Sequence, residues 1–496
     1  MLLIVQRVTT TLVLFSILVV GCIPVDRPAL QMDDSGSELP PPAALPPENL
    51  PTPLPTRELF SPGTLVDYIA QTGDTLPALA YRFNTTVAEI LEVNTFIPRD
   101  ATTMPPGMPM KIPIYYRPLW GSPFQILPDS VFINGPKQVD FDAAVYVDQM
   151  PGWFKNYTFY LGDRNRRGGE IVEFIGQNYS ISPRLLLAIL EYQTSALSNP
   201  EPPSDIDVYP LGYTDQFSLG VARQLLWAAN TLNNGYYGWR TNRLDTFNHL
   251  DGRSERPDPW QNAATVGLHY YFSKVFNKEA FEFAVSGEGF LRTYTELFGD
   301  PWENVQPHIP GSLVQPEMRL PFGGGRLWAF TGGPHTGWGE GDPLAALDFA
   351  PSNVAGGCIE SPDPATAVAD GIIARTGDAM VMLDLDGDGD DRTGWVVFYL
   401  HLANKSLPRT GTVLKAGDPI GMPSCEGGTS SGTHIHIARK YNGEWIPAEG
   451  TLAFNLEGWI AANGAEPYLG NLTRLGGTVR ACVCSDKLSH IRAAIR

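Results

Sequence analysis

The sequence predicts a multidomain fold: a small βααβ module, a mostly α-helical middle domain and a C-terminal antiparallel all-β domain. Its 496 residues leave room for several hydrophobic cores, at roughly 100–200 residues per domain. Apolar residues follow helical spacing in the middle of the chain, whereas short strands between Gly and Pro turns dominate from about residue 317 to 469. The 44 Pro and 50 Gly residues indicate long linkers and many turns.

The N-terminus predicts export. The apolar run from Thr11 to Val20 has the length of a signal-peptide core and is short for a membrane span. It ends in Val19-Val20-Gly21-Cys22, which resembles a bacterial lipobox. The resemblance implies a lipoprotein signal peptide over residues 1–22 and lipid attachment at Cys22, which anchors the exported protein at the cell surface or envelope. An ordinary secretory signal with an incidental cysteine is the alternative.

Charge and composition restrict the partners. The net charge of −18 argues against nucleic acid, and against a membrane partner other than through a lipid anchor. Residues 23–60 are rich in Pro and nearly free of aromatic side chains, so they cannot bury enough surface to fold. We expect them to form a semi-rigid linker.

Residues 61–117 predict the βααβ module. A strand at 68–71 precedes the Gly73-Asp74-Thr75 turn, two helices extend to Asn94, and a second strand follows Pro106-Gly107. This stretch resembles a LysM module along almost its full length. The resemblance implies a groove between two loops that binds glycan containing N-acetylglucosamine, formed by Gly73, Asp74, Thr75, Asn94, Thr95 and Ile97. A module that keeps the fold without the ligand is the alternative.

Residues 138–311 predict a helical domain. Ser182-Pro183 begins a helix whose sequence resembles the catalytic helix of lysozyme-like lytic transglycosylases. In that comparison the catalytic acid falls on Gln193, which cannot donate a proton as a carboxylic acid does, while Glu191 faces away. We therefore predict a lysozyme-like domain that is catalytically inactive. A helical packing domain is the alternative, and an active glycosidase is disfavoured by Gln193.

Two histidines one residue apart mark the C-terminal domain. His434 and His436 point to the same side of a β-strand, so they can serve one site. Together with His335, Asp348 and His401 they resemble the LytM-type (lysostaphin-like, M23) zinc metallopeptidases, over residues 312–470.

That resemblance implies a zinc ion held by His335, Asp348 and His436, with an open fourth position for water, and catalytic roles for His401 and His434. His335 and Asp348 are 13 positions apart, a spacing that exceeds the usual one of the family and is more similar to the β-lytic branch. Asp342 and the weaker Glu340 are therefore rival ligands. Asp348 is preferred because it lies in an apolar strand-like stretch, where an unpaired carboxylate is costly.

The predicted function is that of a cell-surface peptidoglycan hydrolase, a zinc metalloendopeptidase that cleaves stem or cross-bridge peptides. The alternative is a non-enzymatic peptidoglycan-binding regulator that activates a partner cell-wall amidase. Such regulators typically lack zinc ligands, whereas this chain keeps the set, which favours the enzyme.

Two further features remain. The acidic residues Asp384, Asp386, Asp388 and Asp390 resemble the start of a calcium loop, although a solvated acidic turn without metal is equally compatible. In an oxidising compartment Cys358 and Cys425, both in the β domain, are expected to pair, while Cys482 and Cys484 either form a second bridge or stay free. The tail over residues 471–496 has no predicted role.

Overall fold

A computed structural model describes residues 56–354, 356–484 and 486–495. The predicted signal peptide with Cys22, and residues 23–55 of the predicted linker, lie outside the described residues. Within the described parts, no helix combines the length and the apolar character needed to cross a bilayer.

The N-terminal module has the βααβ order that the sequence predicts. Thr75 caps the first helix through the Ala78 amide, and Thr86 forms a capping box with Glu89 at the second. The two strands pair antiparallel. The elements are β1 (Thr64–Ile69), α1 (Leu76–Arg82), α2 (Val87–Val93) and β2 (Pro109–Ile114).

The middle region is mostly helical, as predicted, and its first helix lies N-terminal to the expected boundary at 138. Ser182 caps a helix that has Pro183 at its first position. Two small hairpins accompany the helices. The elements are α3 (Asp129–Phe132), α4 (Ala143–Gln149), β3 (Thr158–Leu161), β4 (Arg164–Arg167), α5 (Gly168–Tyr179), α6 (Pro183–Thr194), α7 (Val221–Arg240), β5 (Phe247–Asn248), β6 (Ser254–Glu255), α8 (Ala263–Ser273), α9 (Lys278–Ala284) and α10 (Phe290–Phe298).

The C-terminal region is all-β and antiparallel, as predicted. Its strands are β7 (Leu327–Thr336), β8 (Leu344–Pro351), β9 (Ala365–Thr366), β10 (Gly371–Gly377), β11 (Met380–Asp384), β12 (Trp395–Leu400), β13 (Val413–Leu414), β14 (Pro419–Gly421), β15 (Ile435–Tyr441), β16 (Glu444–Trp445), β17 (Asn455–Leu456), β18 (Trp459–Asn463), β19 (Gly470–Arg474), β20 (Gly477–Arg480) and β21 (His490–Arg492). The large sheet has the order β13-β10-β11-β12-β15-β8-β7-β21, and β16 pairs with β15. A second sheet has the order β17-β18-β19-β20.

The two faces of the large sheet are buried against different partners. Alternate residues such as Leu347 and Phe349 of β8 pack into the core of the β domain. On the opposite face, Ala346, Phe398 and Ala438 join the core of the helical region. Asp348 and His436 lie on this second face, because they alternate with Leu347 and Ile437. The candidate metal ligands and the helical region thus share one side of the sheet.

A buried guanidinium joins all three regions. Arg240, at the end of α7, donates hydrogen bonds to the Thr72 carbonyl of the βααβ module and to Asp129 of α3 at 2.9 Å. Its Nε lies 3.2 Å from Glu444 of β16, which also accepts a hydrogen bond from Tyr236 at 2.7 Å. Because an unpaired buried charge is costly, this cluster holds the three regions in one arrangement.

Candidate metal centre

Three neighbouring strands of the large sheet position the predicted metal ligands. Asp348 in β8 and His436 in β15 are direct cross-strand partners. His335 is the penultimate residue of β7, which pairs with β8 on its other side. All three side chains are buried. Residues separated by as many as 101 positions therefore meet because three strands pair in one register.

The ligand atoms of these side chains converge on one point. His335 Nε2 lies 3.0 Å from His436 Nδ1 and 3.2 Å from Asp348 Oδ1. His436 Nδ1 lies 3.4 Å from the same carboxylate oxygen. Ligand atoms bound about 2.1 Å from one tetrahedral ion lie about 3.4 Å from each other. The triangle therefore has the dimensions of three zinc ligands.

The backbone fixes which nitrogen of each ligand imidazole is free. His335 Nδ1 is 2.8 Å from the Gly333 carbonyl, and His436 Nε2 is 3.1 Å from the Gly337 carbonyl. Each of these nitrogens carries the proton that it donates, so the two nitrogens that face each other present lone pairs. Asp348 Oδ1 beside them has no hydrogen-bond partner among the described residues. A cation fits this set, because it satisfies three acceptors at once.

The pKa shifts of Asp348 and His335 also indicate that a positive charge is favoured at this point. Burial raises the pKa of Asp348, but the facing His335 and His436 hold it well below its ordinary value. Burial lowers the pKa of His335, and the charge of Asp348 more than compensates, so that pKa is raised. A proton or a metal ion beside the carboxylate supplies this charge.

Two further histidines border the ligands. The His401 ring lies 4.5 Å from the His434 ring and 6.3 Å from the His436 ring, centroid to centroid. His401 Nδ1 donates to the Glu426 carbonyl at 2.8 Å, and His434 Nδ1 donates to the Gly432 carbonyl at 2.8 Å. Among the described residues neither Nε2 atom has a hydrogen-bond partner, and His434 Nε2 lies 3.8 Å from Asp348 Oδ1. The structure therefore brings all five predicted residues together.

His401 has two unusual properties. Its φ of +65° lies in the left-handed region, which a residue with a β-carbon adopts only when its surroundings require it. Burial, followed by the proximity of His434, lowers its pKa to about 4. The imidazole is therefore neutral at pH 7, which is the form that can accept a proton.

The rival ligands lie elsewhere. Asp342 Oδ1 is 2.8 Å from the Arg243 guanidinium and is not part of the ligand triangle. The backbone amides of Glu340 and Asp342 donate to Asn230 and Asn234 of α7 at 2.7 Å. The long loop between β7 and β8 is thus held against the helical region. Asp348, which follows the loop in β8, is the carboxylate that lies with the histidines.

The cleft around this site contains groups that the sequence did not predict. It has a volume of about 510 Å³, and all five site residues line it. Tyr468 stacks on the His335 ring at a centroid distance of 4.1 Å and has a φ of +68°. Val483 and Cys484 form part of the rim, and β21 pairs with the first three residues of β7, of which Ala329 lines the cleft. The described residues of the predicted tail, 471–484 and 486–495, therefore contribute strands and part of the cleft wall.

The cysteines pair as disulfides. Cys358 and Cys425 are bridged, as predicted, with their Cα atoms 5.5 Å apart. Cys482 and Cys484 form the second bridge, which was one of the two alternatives. None of these residues belongs to the ligand triangle.

The predicted glycan-binding residues of the βααβ module fall into two groups. Asp74 is fully buried and binds Arg82 and Tyr68, and Asn94 is buried with its amide bonded to the Lys111 backbone. These two residues support the fold of the loops. Exposure differs among the others: Thr95 is exposed, Gly73 and Thr75 are half-buried, and Ile97 is buried.

The predicted inactive position in α6 is held by neutral partners. Gln193 donates to the Leu211 carbonyl at 3.0 Å and accepts from the Tyr271 hydroxyl at 2.6 Å. Glu191 accepts hydrogen bonds from Leu197 and Ser198 after the helix. Both side chains have structural partners, and the lysozyme-like character of the domain stays a prediction.

The acidic turn between β11 and β12 brings three carboxylates together. Asp384, Asp386 and Asp388 lie within mutual reach of one ion, whereas Asp390 pairs with Arg392 at 2.6 Å. Asp384 also accepts three backbone N–H groups of the turn, and burial raises its pKa to about 6. The turn is thus largely satisfied by its own backbone, and calcium has no support from the relatives described below.

Two protein families match the N-terminal and middle regions. The LysM domain family matches residues 68–113, and the family "LasA, N-terminal domain" matches residues 125–311. Protease LasA of Pseudomonas aeruginosa strain UCBPP-PA14 is 23% identical over 342 residues, which cover 65% of this chain and 75% of that protein. The β-lytic metalloendopeptidase of Achromobacter lyticus is 29% identical over 150 residues, which cover 29% of this chain and 37% of that protein.

Solved structures give weaker likenesses. A deep-sea M23 metalloprotease, pseudoalterin, is 24% identical with a TM-score of 0.29, over 34% of this chain and 96% of that chain. The catalytic domain of lysostaphin from Staphylococcus simulans is 22% identical with a TM-score of 0.18, over 24% of this chain and 87% of that chain. The chain thus carries a LysM domain and a LasA N-terminal domain, and it is homologous to the protease LasA and to the β-lytic metalloendopeptidases.

Proposed function

We propose that this protein is a zinc metalloendopeptidase that cleaves the stem or cross-bridge peptides of bacterial peptidoglycan. One observation carries the proposal: His335 Nε2, His436 Nδ1 and Asp348 Oδ1 face one point, and backbone carbonyls hold the other nitrogens of both rings. Homology to a protease and to metalloendopeptidases supports peptide-bond cleavage.

His335, Asp348 and His436 would hold the zinc, which would act as a Lewis acid and would lower the pKa of water at the site towards about 7. His401 and His434 stand beside this point with their Nε2 atoms free. One of them accepts the proton of the attacking water at Nε2 and returns it to the leaving amine. The other can donate from Nε2 to the carbonyl oxygen of the substrate only in its doubly protonated form, since its Nδ1 proton is already bonded to a main-chain carbonyl. The Glu426 and Gly432 carbonyls keep both rings in the orientation that these roles need.

The substrate class rests on the domain context. A LysM domain beside a LasA-type region, together with β-lytic relatives, supports peptidoglycan as the polymer that is bound and cut. We further propose that the protein is exported and held at the cell surface by a lipid on Cys22. The complete ligand triangle argues against a non-enzymatic activator of an amidase, because a regulator needs no metal ligands.

His436→Ala tests the ligand assignment. Removing one of three protein ligands should abolish stoichiometric zinc and peptidase activity together. Elemental analysis of the purified protein measures the metal, and mass spectrometry of digested peptidoglycan measures the cleaved bonds.

His401→Ala is the matched variant, since it removes a histidine of the same cleft that is not a ligand. It should retain zinc and lose activity by about 100-fold or more. A folded His436→Ala protein with one zinc per chain would contradict the assignment.

A further inference from the structure

The groove predicted for glycan in the LysM domain lies between the Gly73–Thr75 loop and the loop after Asn94. In the structure these two loops span residues 70–75 and 94–108. In the structure a segment of the chain's own connector between α10 and β7 crosses this groove. We call the residues Ile309–Leu313 the connector segment. Ile309 and Leu313 are buried, and their side chains pack with Ile446 of the β domain, although the stretch lies outside any helix or strand.

Hydrogen bonds attach the connector segment to the first loop. The Ile309 amide donates to Thr72 Oγ1 at 2.9 Å, and the Thr72 hydroxyl lies 3.3 Å from the Ile309 carbonyl. Both polar groups of one peptide residue are thus directed to a single threonine of the loop.

More hydrogen bonds attach the segment to the second loop. Thr103 Oγ1 donates to the Pro310 carbonyl at 2.7 Å and accepts the Leu313 amide at 3.0 Å. The Thr103 carbonyl accepts the Ser312 amide at 2.9 Å. Thr102 donates to the Leu313 carbonyl at 2.6 Å. The segment therefore bridges the two walls of the groove through its main-chain amides and carbonyls.

Little space remains for another ligand. A β-carbon placed on Gly311 would lie 2.6 Å from Pro105 Cα, and one on Gly73 would lie 2.8 Å from the Arg240 guanidinium. The pocket left beside Gly73 and Thr103 has a volume of about 270 Å³ and is also lined by Glu444 and Ile446 of the β domain. A glycan strand of several sugars does not fit beside the connector segment.

We propose that the connector segment is an internal ligand of the LysM groove, and that a glycan containing N-acetylglucosamine competes with it for the same loops. The acetamido group of this sugar offers one N–H donor and one carbonyl acceptor, which are the groups that a peptide unit offers. Thr72, Thr102 and Thr103 can therefore exchange the connector segment for the sugar. The inference rests on the proposed glycan binding and is independent of the peptidase activity.

The competition has a structural consequence. The connector segment follows His308, whose Nε2 lies 2.6 Å from Glu444 Oε2 in the buried cluster around Arg240. Displacing the segment therefore pulls on the contacts that hold the β domain against the other two regions. Binding of a glycan is therefore coupled to the packing of the β domain through His308.

Gly311→Ala in the full chain separates the two states. Its added β-carbon meets Pro105 and pushes the segment out of the groove, while no residue of either loop is substituted. Gly323→Ala is the matched control, because a β-carbon there meets only Arg326 at an ordinary 3.6 Å. The probe is the hexamer of N-acetylglucosamine, titrated by calorimetry. Gly311→Ala should bind it about tenfold or more tightly than the unchanged and control proteins, since the competing segment no longer holds the groove closed.

Hydrogen exchange gives the second readout. Addition of the hexamer to the unchanged protein should speed exchange at the Ile309, Ser312 and Leu313 amides, with no change in the middle of α7. Equal affinities of the Gly311→Ala and unchanged proteins, no binding by Gly311→Ala, or full protection of these amides at saturating hexamer would each overturn the proposal.

Discussion

Asp348 is the residue on which the candidate metal centre depends most closely. One of its oxygens faces both ligand imidazoles, at 3.2 Å and 3.4 Å, and has no hydrogen-bond donor of its own among the described residues. A buried carboxylate in this state is costly unless a cation compensates it. The nearby Asp342 already has a cation in Arg243.

The two carboxylates give a paired test. Asp348→Ala should abolish zinc binding and activity, because it removes the only anionic ligand of the triangle. Asp342→Ala should leave the zinc content unchanged and lower activity by less than about threefold, since its lost ion pair is partly exposed and weak. Zinc is measured by competition with a chromogenic chelator. Loss of zinc from Asp342→Ala alone would place the ligand in the loop.

At this scale the structure brings together the five residues that the sequence singled out. The His-x-His spacing is local, and a strand makes its geometry unavoidable, so His434 and His436 could be paired without a structure. The contact of Tyr468 with His335 could not be predicted, because it joins residues 133 positions apart through a loop residue with a left-handed backbone. The contact between Tyr468 and His335 forms only when the chain has folded, so no local sequence pattern indicates it.

At the scale of elements, the pairing of β7 with β8 requires a residue without a side chain. Gly332 is the cross-strand partner of Asp348, and a β-carbon on Gly332 would lie 2.3 Å from Asp348 Oδ2. The missing side chain leaves the space into which the carboxylate folds.

Gly332→Ala should therefore move the Asp348 carboxylate and weaken zinc binding by about tenfold or more, while the β domain stays folded. Gly323→Ala, whose β-carbon has room, serves as the control. Zinc affinity and the circular dichroism spectrum are compared for both. An unchanged affinity in Gly332→Ala would show that the carboxylate does not need this space.

Elements with local signals matched their predictions. Ser182-Pro183 begins α6, and the apolar stretch around Asp348 forms β8. The strands β19 to β21 were not predicted, because their segments are short and polar. β21 is stabilised by pairing with β7, more than 150 positions earlier in the chain, so its sequence alone carries little signal.

At the scale of the whole molecule, the cluster around Arg240 holds the regions together. Burial raises the pKa of Glu444, but Arg240 and His308 outweigh it and lower that pKa to about 2. The folded-state pKa therefore lies below the ordinary value of 4.5. The ionised carboxylate stabilises the fold fully above pH 4.5, and this contribution is lost as the pH falls towards about 2.

Glu444→Gln should lower the free energy of unfolding at pH 7 by about 3–5 kcal/mol, because it leaves Arg240 without one of its anions. The difference from the unchanged protein should shrink as the pH falls from 4.5 to about 2. Glu449→Gln, at an exposed position, should change little. Denaturant unfolding at several pH values measures all three proteins, and a constant difference across that range would contradict the lowered pKa.

The sequence predicted the order of the three regions and suggested separate, consecutive domains. It did not predict the buried contacts between them. Arg240, Asp129 and Glu444 are charged residues that a sequence assigns to the surface, because their partners come from separate parts of the chain. The buried cluster exists only after the regions have packed together.

The imidazoles of the candidate centre have a consequence for how the protein can change. His335, His436, His401 and His434 are all held by main-chain carbonyls. No point substitution in the cleft wall deletes a main-chain carbonyl. The side chains of the cleft wall can therefore be substituted to accept a peptide of different sequence, while the four imidazoles keep their orientation. The four imidazoles and the side chains of the cleft wall can therefore change independently of each other. Substitutions in the cleft wall alone can change which peptide is accepted.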